Sequence, residues 1–373
     1  MNKKLFGFLN LHYSPEIGPL TKERPMATLS FLGRYALMDF PLSNFVNSGI
    51  DQIGILVKKH QRSVNKHLGS RNTFNVNTKI GYETVMFNEA ASGGSERYNT
   101  DFANIRANMY VLDRSSADYI VFAPAHFITR IDYRDVLKEH IANEAEITLI
   151  YSEVDNAKTS FIGSSIVKLN DKNEVVELIE NKGTSNKANI SLQSFIINRT
   201  KLIEIMDKSQ AISSLFGLHD YLLYSVGKDE VIHTYEYKGF IRYIDTMENF
   251  KAASLEMLNY RTRKQLFQSD WPIYTVTHDT PPAQYEESAD VQNAFVANGA
   301  YIAGKVRGSV ISRNVTVEKG AVIENSIIFS NSYIGPDVHL NNVIVDKRAK
   351  VIHTKKLVSN EKTPIYIDQG DEV

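Results

Sequence analysis

The chain has 373 residues, of which 43% are hydrophobic and 23% are charged, and its formal net charge is −1. This length predicts two domains rather than one core, and the composition excludes intrinsic disorder. The charge balance predicts neither a nucleic-acid nor a membrane partner. Cysteine is absent, which excludes disulfides and zinc–thiolate sites and suits a cytoplasmic location.

The first half of the chain alternates strand and helix patterns. Asn10 and His12 interrupt the apolar run at residues 5–9, and no small-residue cleavage site follows, so this run predicts a buried strand rather than a signal peptide. No later stretch approaches the roughly 20 apolar residues that cross a bilayer. Further strands are predicted at 53–57, 119–123 and 147–151, and helices at 63–68 and 133–142.

This strand–helix–strand order predicts a mainly parallel sheet. Ligands of such sheets bind beyond the carboxyl ends of the strands. The loops after Leu9 and Ala123 are therefore the first places in which to look for a site.

The C-terminal part has a different pattern, in which branched apolar residues recur at spacings near five or six, with turn formers between them. They are Val296, Ile302, Val306, Val310, Val315, Val322, Ile327, Ile334, Val338, Val343 and Val351. This spacing predicts a parallel β-helix, with a small antiparallel hairpin domain as the alternative. We predict domain boundaries at 1–245, 246–290 for a helix and connector, and 291–373 for the β-helix.

Residues 33–50 read GRYALMDFPLSNFVNSGI and carry the most specific motif. They resemble the signature GGKYRIIDFPLSNxxNSGI of the ADP-glucose pyrophosphorylase (glucose-1-phosphate adenylyltransferase) family. The PLT at 19–21 and the connector that begins DWPI at 270–273 fit the same family. The resemblance covers nearly the whole chain. It implies an α/β fold, with a Rossmann-like (GT-A-like) nucleotidyltransferase domain of mainly parallel mixed sheet followed by a left-handed parallel β-helix.

That family joins glucose 1-phosphate to ATP, giving ADP-glucose and pyrophosphate for glycogen synthesis. Its glycine-rich phosphate loop corresponds here to NLHYSPEI at residues 10–17, and Glu16 replaces its arginine. Ala125 stands at the metal-binding aspartate of the GDH motif. Tyr243 stands at that of YWxDVGT, with Asp245 two residues away.

A lysine of the family's RAKPAV motif is likewise replaced, by Met26. Because the loss of one preorganised electrostatic donor costs about 10²–10³ in rate, these changes imply that no catalytic residue and no metal site remain. We therefore expect no cofactor on this chain, with Mg²⁺ required by a catalytic partner. Glu180, retained from the sugar-binding FxEKP motif, and Lys182 are candidates for a vestigial sugar site.

Basic residues near the signature are candidates for an anion or effector site, with a solvated helix start as the alternative explanation. They are Arg24, Arg34, Lys59, His60 and Arg62. Ser43 and Asn44 within the signature are expected to cap a helix or a turn.

Three functions follow from these residues. The first is implied by a resemblance of the altered motifs to the non-catalytic D-type subunit, which some Gram-positive bacteria pair with a catalytic subunit. It implies a hetero-oligomer, with a heterotetramer expected, and a phosphorylated-metabolite effector. The second is an active nucleotidyltransferase with a site rebuilt from Glu16, Asp101 or Asp245. The third is a hexapeptide-repeat acyltransferase. The histidines of the repeat region, His339 and His353, stand only near its end, which argues against this function.

Overall fold

The computed structural model describes residues 4–69, 74, 81–88 and 96–373. The chain divides into two compact units. Unit 1 comprises Met1–Ser14, Phe40–Tyr243 and Trp271–Tyr274, and unit 2 comprises Pro15–Asp39, Ile244–Asp270 and Thr275–Val373. This division differs from the boundaries predicted at 245 and 290, because two earlier segments pack with the C-terminal strands.

Unit 1 is an α/β structure. Its strands are β1 (Leu5–Asn10), β4 (Gln52–Val57), β5 (Tyr82–Phe87), β6 (Tyr119–Ala123), β7 (Phe127–Thr129), β8 (Ile147–Val154), β9 (Ser165–Leu169), β10 (Val175–Glu180), β11 (Ala188–Asn198), β12 (His233–Glu236) and β13 (Ile241–Tyr243), while β2 (Ser30–Phe31) and β3 (Tyr35–Ala36) belong to unit 2. Its helices are α1 (Asp39–Asn47, whose first residue groups with unit 2), α2 (Gln61–Leu68), α3 (Asp101–Ala107), α4 (Tyr110–Asp113), α5 (Tyr133–Ala142), α6 (Arg199–Ile212) and α7 (Leu218–Ser225).

The main sheet of unit 1 is mixed, with the order β10-β9-β11-β6-β1-β4-β5 and with β8 joining β11 to β12. Strands β6, β1, β4 and β5 run parallel, whereas β11 runs antiparallel to β6 and β8. The strands predicted at 53–57, 119–123 and 147–151 are confirmed as β4, β6 and β8, and the predicted helices as α2 and α5.

Polar side chains set where the helices of unit 1 begin. The hydroxyl of Thr100 accepts a hydrogen bond from the backbone N–H of Ala103 at 3.1 Å and caps α3. The carboxylate of Asp132 accepts from the N–H of Arg134 at 2.9 Å and caps α5. Ser43 and Asn44 do not act in this way. The expectation that they cap a helix is wrong, because both lie inside α1.

Ser43 and Asn44 instead hold the short segment Trp271–Tyr274 of unit 1. The Trp271 indole N–H donates to Asn44 Oδ1 at 3.0 Å, and the backbone N–H of Tyr274 donates to Ser43 Oγ at 2.9 Å. Both polar side chains are buried, so these contacts satisfy groups that would otherwise be desolvated without a partner.

Unit 2 contains short strands in three parallel sheets and two helices. The strands are β14 (Gln284–Tyr285), β15 (Asp290–Gln292), β16 (Phe295–Val296), β17 (Tyr301–Ile302), β18 (Lys305–Arg307), β19 (Val310–Ile311), β20 (Thr316–Val317), β21 (Val322–Glu324), β22 (Ile327–Ile328), β23 (Tyr333–Ile334), β24 (His339–Asn341), β25 (Val343–Val345), β26 (Lys350–Val351), β27 (Lys356–Val358) and β28 (Ile365–Ile367). The helices are α8 (Met247–Glu256) and α9 (Tyr260–Leu266), and both lie in the segment 246–290 that was predicted to hold a helix and a connector.

The three sheets of unit 2 are the three faces of one solenoid, because consecutive strands belong to different sheets and each coil adds one strand to each sheet. In the first sheet Ile302 pairs with Val317, which pairs with Ile334 and then with Val351, always in parallel register. These four side chains are buried in the interior. Three parallel sheets of this kind are the arrangement of a left-handed β-helix, so the predicted fold class is confirmed and the antiparallel hairpin alternative is wrong. Within the described ranges, each helix is too short or too polar to traverse a bilayer.

Candidate functional site

The carboxyl ends of β1 and β6 lie side by side in parallel register, with Leu9 opposite Ala123. This is the crevice in which open parallel sheets bind ligands. The loop that leaves β1 is held there by its own side chains. Asn10 Nδ2 donates to Asp101 Oδ2 at 2.7 Å, and Asn10 Oδ1 accepts from the N–H of His12 at 3.1 Å. The loop backbone is therefore fixed by side-chain bonds rather than shaped by glycines.

Asp101 at the start of α3 is the buried carboxylate of this crevice. Besides the Asn10 amide, it accepts backbone N–H groups from Phe102 at 2.8 Å and Leu218 at 3.0 Å. Burial is the largest effect on its acidity and raises the pKa of Asp101 from 3.8 to about 6, against the lowering effect of these donors. Three intramolecular donors therefore hold this carboxylate in place.

The positions predicted to have lost the metal ligands are apolar in the structure. Ala125 follows β6 and is fully buried. Tyr243 ends β13, where it stacks between Phe127 at 4.8 Å and Phe161 at 6.0 Å between ring centroids. We call these three rings the aromatic column. Among the described residues, no group of three or more His, Cys, Asp or Glu side chains is placed to hold a metal ion.

Mg²⁺ prefers carboxylate, carbonyl and water oxygens, which buried alanine and stacked aromatic rings do not supply. These two positions therefore supply no ligand for the Mg²⁺ that the resemblance implies. His126 beside the column is buried with its pKa lowered to about 3, chiefly by burial, and its Nε2 lies 3.1 Å from Gln193 Oε1. Gln193 has a positive φ of 51° at a bulge in β11, and bulges are common next to active sites.

Asn181, which replaces the lysine of the predicted sugar motif, holds the loop that carries Phe161. Its Nδ2 lies within hydrogen-bond distance of the carbonyl oxygens of Ala157 at 2.9 Å, Ser160 at 3.3 Å and Phe161 at 2.9 Å. Phe161 itself adopts a left-handed backbone conformation, with φ 60°, which is unfavourable for an aromatic residue. Asn181 therefore stabilises one end of the aromatic column.

The remaining predicted sugar residues lie beside Asn181. Glu180 ends β10, opposite Ser165 of β9, and Lys182 follows Asn181; both side chains are exposed. Their role as a vestigial sugar site stays a prediction.

The predicted basic residues lie in both units. Lys59, His60 and Arg62 are exposed at the start of α2 in unit 1, whereas Arg24 and Arg34 belong to unit 2. That all five form one anion site stays a prediction.

Arg24 forms a buried ion pair in unit 2. Its guanidinium contacts the carboxylate of Asp346, which also accepts the hydroxyl of Tyr366, and it lies over the ring of Phe329 at 5.9 Å. Arg24 is only 4% exposed. The other degenerate positions of this segment are Met26, which is buried, and Glu16, which is exposed. Asp245, also in unit 2, accepts the amide of Asn249 at 2.6 Å.

Arg34 lines a cavity of about 400 Å³ in unit 2 that we call the basic cavity. Its lining residues are Leu32, Arg34, Tyr35, Arg263, Phe267, Thr277, His278, Phe295, Val296, Ala297, Asn298 and Arg313. This lining contains three arginines and a histidine but no carboxylate. Burial, then the nearby Arg34, lowers the pKa of Arg313. An arrangement of this kind favours an anionic ligand, because an anion would relieve the repulsion between the guanidinium groups.

Aromatic rings position the arginines of the basic cavity. Arg263 lies over the ring of Phe295 at 5.2 Å, and Arg34 over that of Tyr35 at 5.9 Å. Of these residues only Arg34 was predicted from the sequence as an anion ligand, whereas Arg263, His278 and Arg313 were not predicted. These residues come from α9 and from two separate stretches of the C-terminal region, so no local motif connects them.

The mixed sheet and the crevice beyond β1 and β6 are those of a nucleotide-dependent transferase fold, here with a hexapeptide β-helix. Residues 16–210 match the Nucleotidyl transferase family, and residues 281–363 match the GlmU-like, C-terminal hexapeptide family. The chain belongs to the nucleotidyl transferase family.

Similar proteins carry the name glucose-1-phosphate adenylyltransferase. Those of Bacillus thuringiensis (strain Al Hakam) and Bacillus anthracis are 29% and 28% identical to this chain over 350 residues, which is 93% of this chain and 92% of each relative. The resemblance predicted from residues 33–50 is thereby confirmed.

Proposed function

We propose that this chain is a regulatory, catalytically impaired subunit of a cytoplasmic glucose-1-phosphate adenylyltransferase. Its role is to raise the activity of a catalytic partner subunit that converts ATP and glucose 1-phosphate to ADP-glucose and pyrophosphate. The proposed assembly is a heterotetramer, in which the partner supplies the Mg²⁺ site. The observation that carries the proposal is the aromatic column, together with buried Ala125, at the positions of the metal carboxylates.

Adenylyl transfer depends on neutralising charge that spreads over several phosphate oxygens. The metal does this by bridging those oxygens, so a site without metal carboxylates loses its largest electrostatic contribution. Stacked rings and an alanine offer no charge. The fold around them is retained, which supports a role in assembly or regulation rather than in the chemical step.

A rebuilt catalytic site is not favoured by the contacts of its candidate residues. Asp101 accepts three hydrogen bonds from its own chain at 3.0 Å or less, and Asp245 accepts the amide of Asn249 at 2.6 Å. A magnesium ligand at either residue would first have to break these bonds. Neither carboxylate replaces the two that are absent.

The basic cavity supports the regulatory part of the proposal. Its arginines and His278 suit a phosphorylated metabolite, since guanidinium groups bind phosphate oxygens through paired hydrogen bonds. In this proposal the effector binds in unit 2 of this chain, and the response appears in the activity of the partner.

The deciding experiment measures ADP-glucose formation by this chain alone, by a catalytic subunit alone, and by the two mixed. We expect the chain alone to reach less than about 10⁻³ of the partner's rate, because several preorganised electrostatic groups are replaced and each contributes about 10²–10³ in rate. We expect the mixture to form ADP-glucose faster than the partner alone, and we expect the two chains to co-elute. Robust magnesium-dependent activity of the isolated chain, or a partner unchanged by mixing, would contradict the proposal.

The effector site is tested in the same mixture by titrating inorganic phosphate and a sugar bisphosphate. Arg313→Gln should raise the effector concentration needed for a half-maximal response at least about tenfold, because one desolvated charge-assisted bond of about 1.5–3 kcal/mol is lost. Lys356→Gln is the matched control, because it removes one positive charge from an exposed position of the same unit outside the cavity. Equal responses of the two variants would exclude the basic cavity as the effector site.

A further inference from the structure

The crevice beyond β1 and β6 is filled by a side chain of the same chain, Tyr13. The Tyr13 hydroxyl oxygen lies 3.4 Å from Asp101 Oδ1 and 3.3 Å from Asp220 Oδ2. Its ring packs edge-on against His219, with 5.5 Å between ring centroids. One phenol thus connects the loop after β1 to α3 and to the first turn of α7.

The position of the hydroxyl depends on Gly217. A Cβ atom on Gly217 would lie 2.1 Å from the Tyr13 hydroxyl oxygen and 2.3 Å from Asp101 Oδ1. Its backbone is extended, with φ −105°, a conformation that any residue adopts. Glycine is therefore required here by space and not by backbone conformation. We call the space at Gly217 that the Tyr13 hydroxyl fills the Gly217 notch.

Both carboxylates of the notch are oriented by other donors. The backbone N–H of Gly217 donates to Asp220 Oδ2 at 3.0 Å, and Asp101 is held by Asn10 and two backbone N–H groups. The phenol is the donor that the two acceptors share. Burial, followed by the charges of Asp101 and Asp220, raises the pKa of Tyr13, so the hydroxyl keeps its proton and remains a donor.

The space left beside Tyr13 is about 10 Å³, lined by Asn10, Pro124, Gln193 and His219 among others. That volume holds no more than one water molecule. A nucleoside base or a sugar cannot enter the crevice while the ring is in place.

We infer that Tyr13 is an internal ligand that closes the crevice, and that its removal creates a site for a neutral ring with a hydrogen-bond donor at its edge. The two carboxylates select a donor, and the walls from Phe122 and Phe195 select a ring. This inference rests on the proposed loss of catalysis and deepens it. Besides the missing metal ligands, the Tyr13 ring would block the crevice sterically. An adenine base has the same combination of ring and edge donor and must displace Tyr13 to bind.

The test uses the full chain and p-cresol, the side chain of tyrosine as a free molecule. Tyr13→Ala should bind p-cresol and gain thermal stability with its concentration. Toluene, which lacks the hydroxyl, should give a smaller shift in Tm. Wild type and Tyr13→Phe should give none, because the ring still occupies the site. Tyr110→Ala is the control variant, since Tyr110 is 52% exposed and its removal leaves no cavity.

A wild-type chain that binds p-cresol or ATP at micromolar concentration would overturn the inference, as would a folded Tyr13→Ala variant that binds neither p-cresol nor ATP. These results do not depend on partner activation, which the mixing assay measures separately.

A second measurement covers a Tyr13→Ala variant that does not fold. Gly217→Ala and Tyr13→Phe both act on the contact with the hydroxyl, so their effects on Tm should be less than additive in the double variant, with the contact of the new Cβ to Asp101 Oδ1 still present. Additive effects would show that the hydroxyl does not occupy the Gly217 notch.

Discussion

His12 should make unit 1 sensitive to weak acid. Its Nδ1 lies 3.1 Å from the carbonyl oxygen of Asn99, and its Nε2 lies 3.2 Å from the amide nitrogen of Asn104. A carbonyl only accepts, so Nδ1 carries the proton. Nε2 faces the Asn104 amide, whose two protons are shared with the carbonyl oxygens of Val57 at 3.2 Å and Met86 at 3.0 Å. A second ring proton on Nε2 would face that N–H donor. Burial lowers the pKa of His12 from 6.5 to about 3, with Lys58 contributing in the same direction.

Because the pKa of His12 is lowered in the folded state, the sign of its effect on stability at low pH is definite. The stability that it contributes is present above the unfolded-state pKa of 6.5 and is lost as the pH falls toward the folded-state value. Because one pH unit below 6.5 corresponds to about 1.4 kcal/mol, lowering the pH from 7 to 5 should cost about 2 kcal/mol through His12. His126, whose pKa is also lowered to about 3, should add a similar loss.

Asp101 acts with the opposite sign. Its pKa is raised from 3.8 to about 6, so the stability that it contributes is full below 3.8 and is lost as the pH rises through 6. Between pH 7 and pH 5 it should offset about 1.4 kcal/mol of the histidine effect. The wild-type pH dependence alone therefore does not isolate His12.

The assay compares wild type with His12→Gln by urea unfolding at pH 7 and pH 5. The single tryptophan, Trp271, belongs to unit 1 and reports on that unit by fluorescence. The pH-dependent loss should be about 2 kcal/mol smaller in His12→Gln than in wild type. His60→Asn is the control, because His60 is exposed and asparagine tolerates its positive φ of 56°. Equal losses in wild type and His12→Gln would refute this reasoning.

Three further substitutions test the architecture around the two sites. Asn181→Ala leaves buried carbonyl groups without their amide donor and should lower the free energy of unfolding of unit 1 by about 2 kcal/mol, measured by Trp271 fluorescence. Tyr243→Asp should destabilise unit 1 by about 3 kcal/mol without creating magnesium-dependent ADP-glucose formation, because one carboxylate in an apolar stack cannot hold the metal; measurable activity would contradict this. Arg24→Met leaves the buried carboxylate of Asp346 without its counter-charge and should cost unit 2 about 3–5 kcal/mol in calorimetry, with partial recovery when Asp346→Asn is added.

Local sequence patterns were sufficient for the main elements of the fold. The spacing near six after Val296 predicts a solenoid, because each coil places one branched side chain inward, and Ile302, Val317 and Ile334 indeed stack in parallel register. The short apolar runs typical of strands buried on both faces predict the parallel part of the sheet. Ala125 and Tyr243 were found as altered positions because short motifs preserve their register.

The tertiary structure alone decided what those altered positions became. Tyr243 meets Phe161, and Tyr13 fits beside Gly217, across separations that no local pattern encodes. The basic cavity likewise unites Arg34 with Arg313, which lie far apart in the chain. The sequence by itself determined which residue types stand at the motif positions, since a short motif fixes their register. What surrounds those positions depends on long-range packing, which only the folded chain specifies.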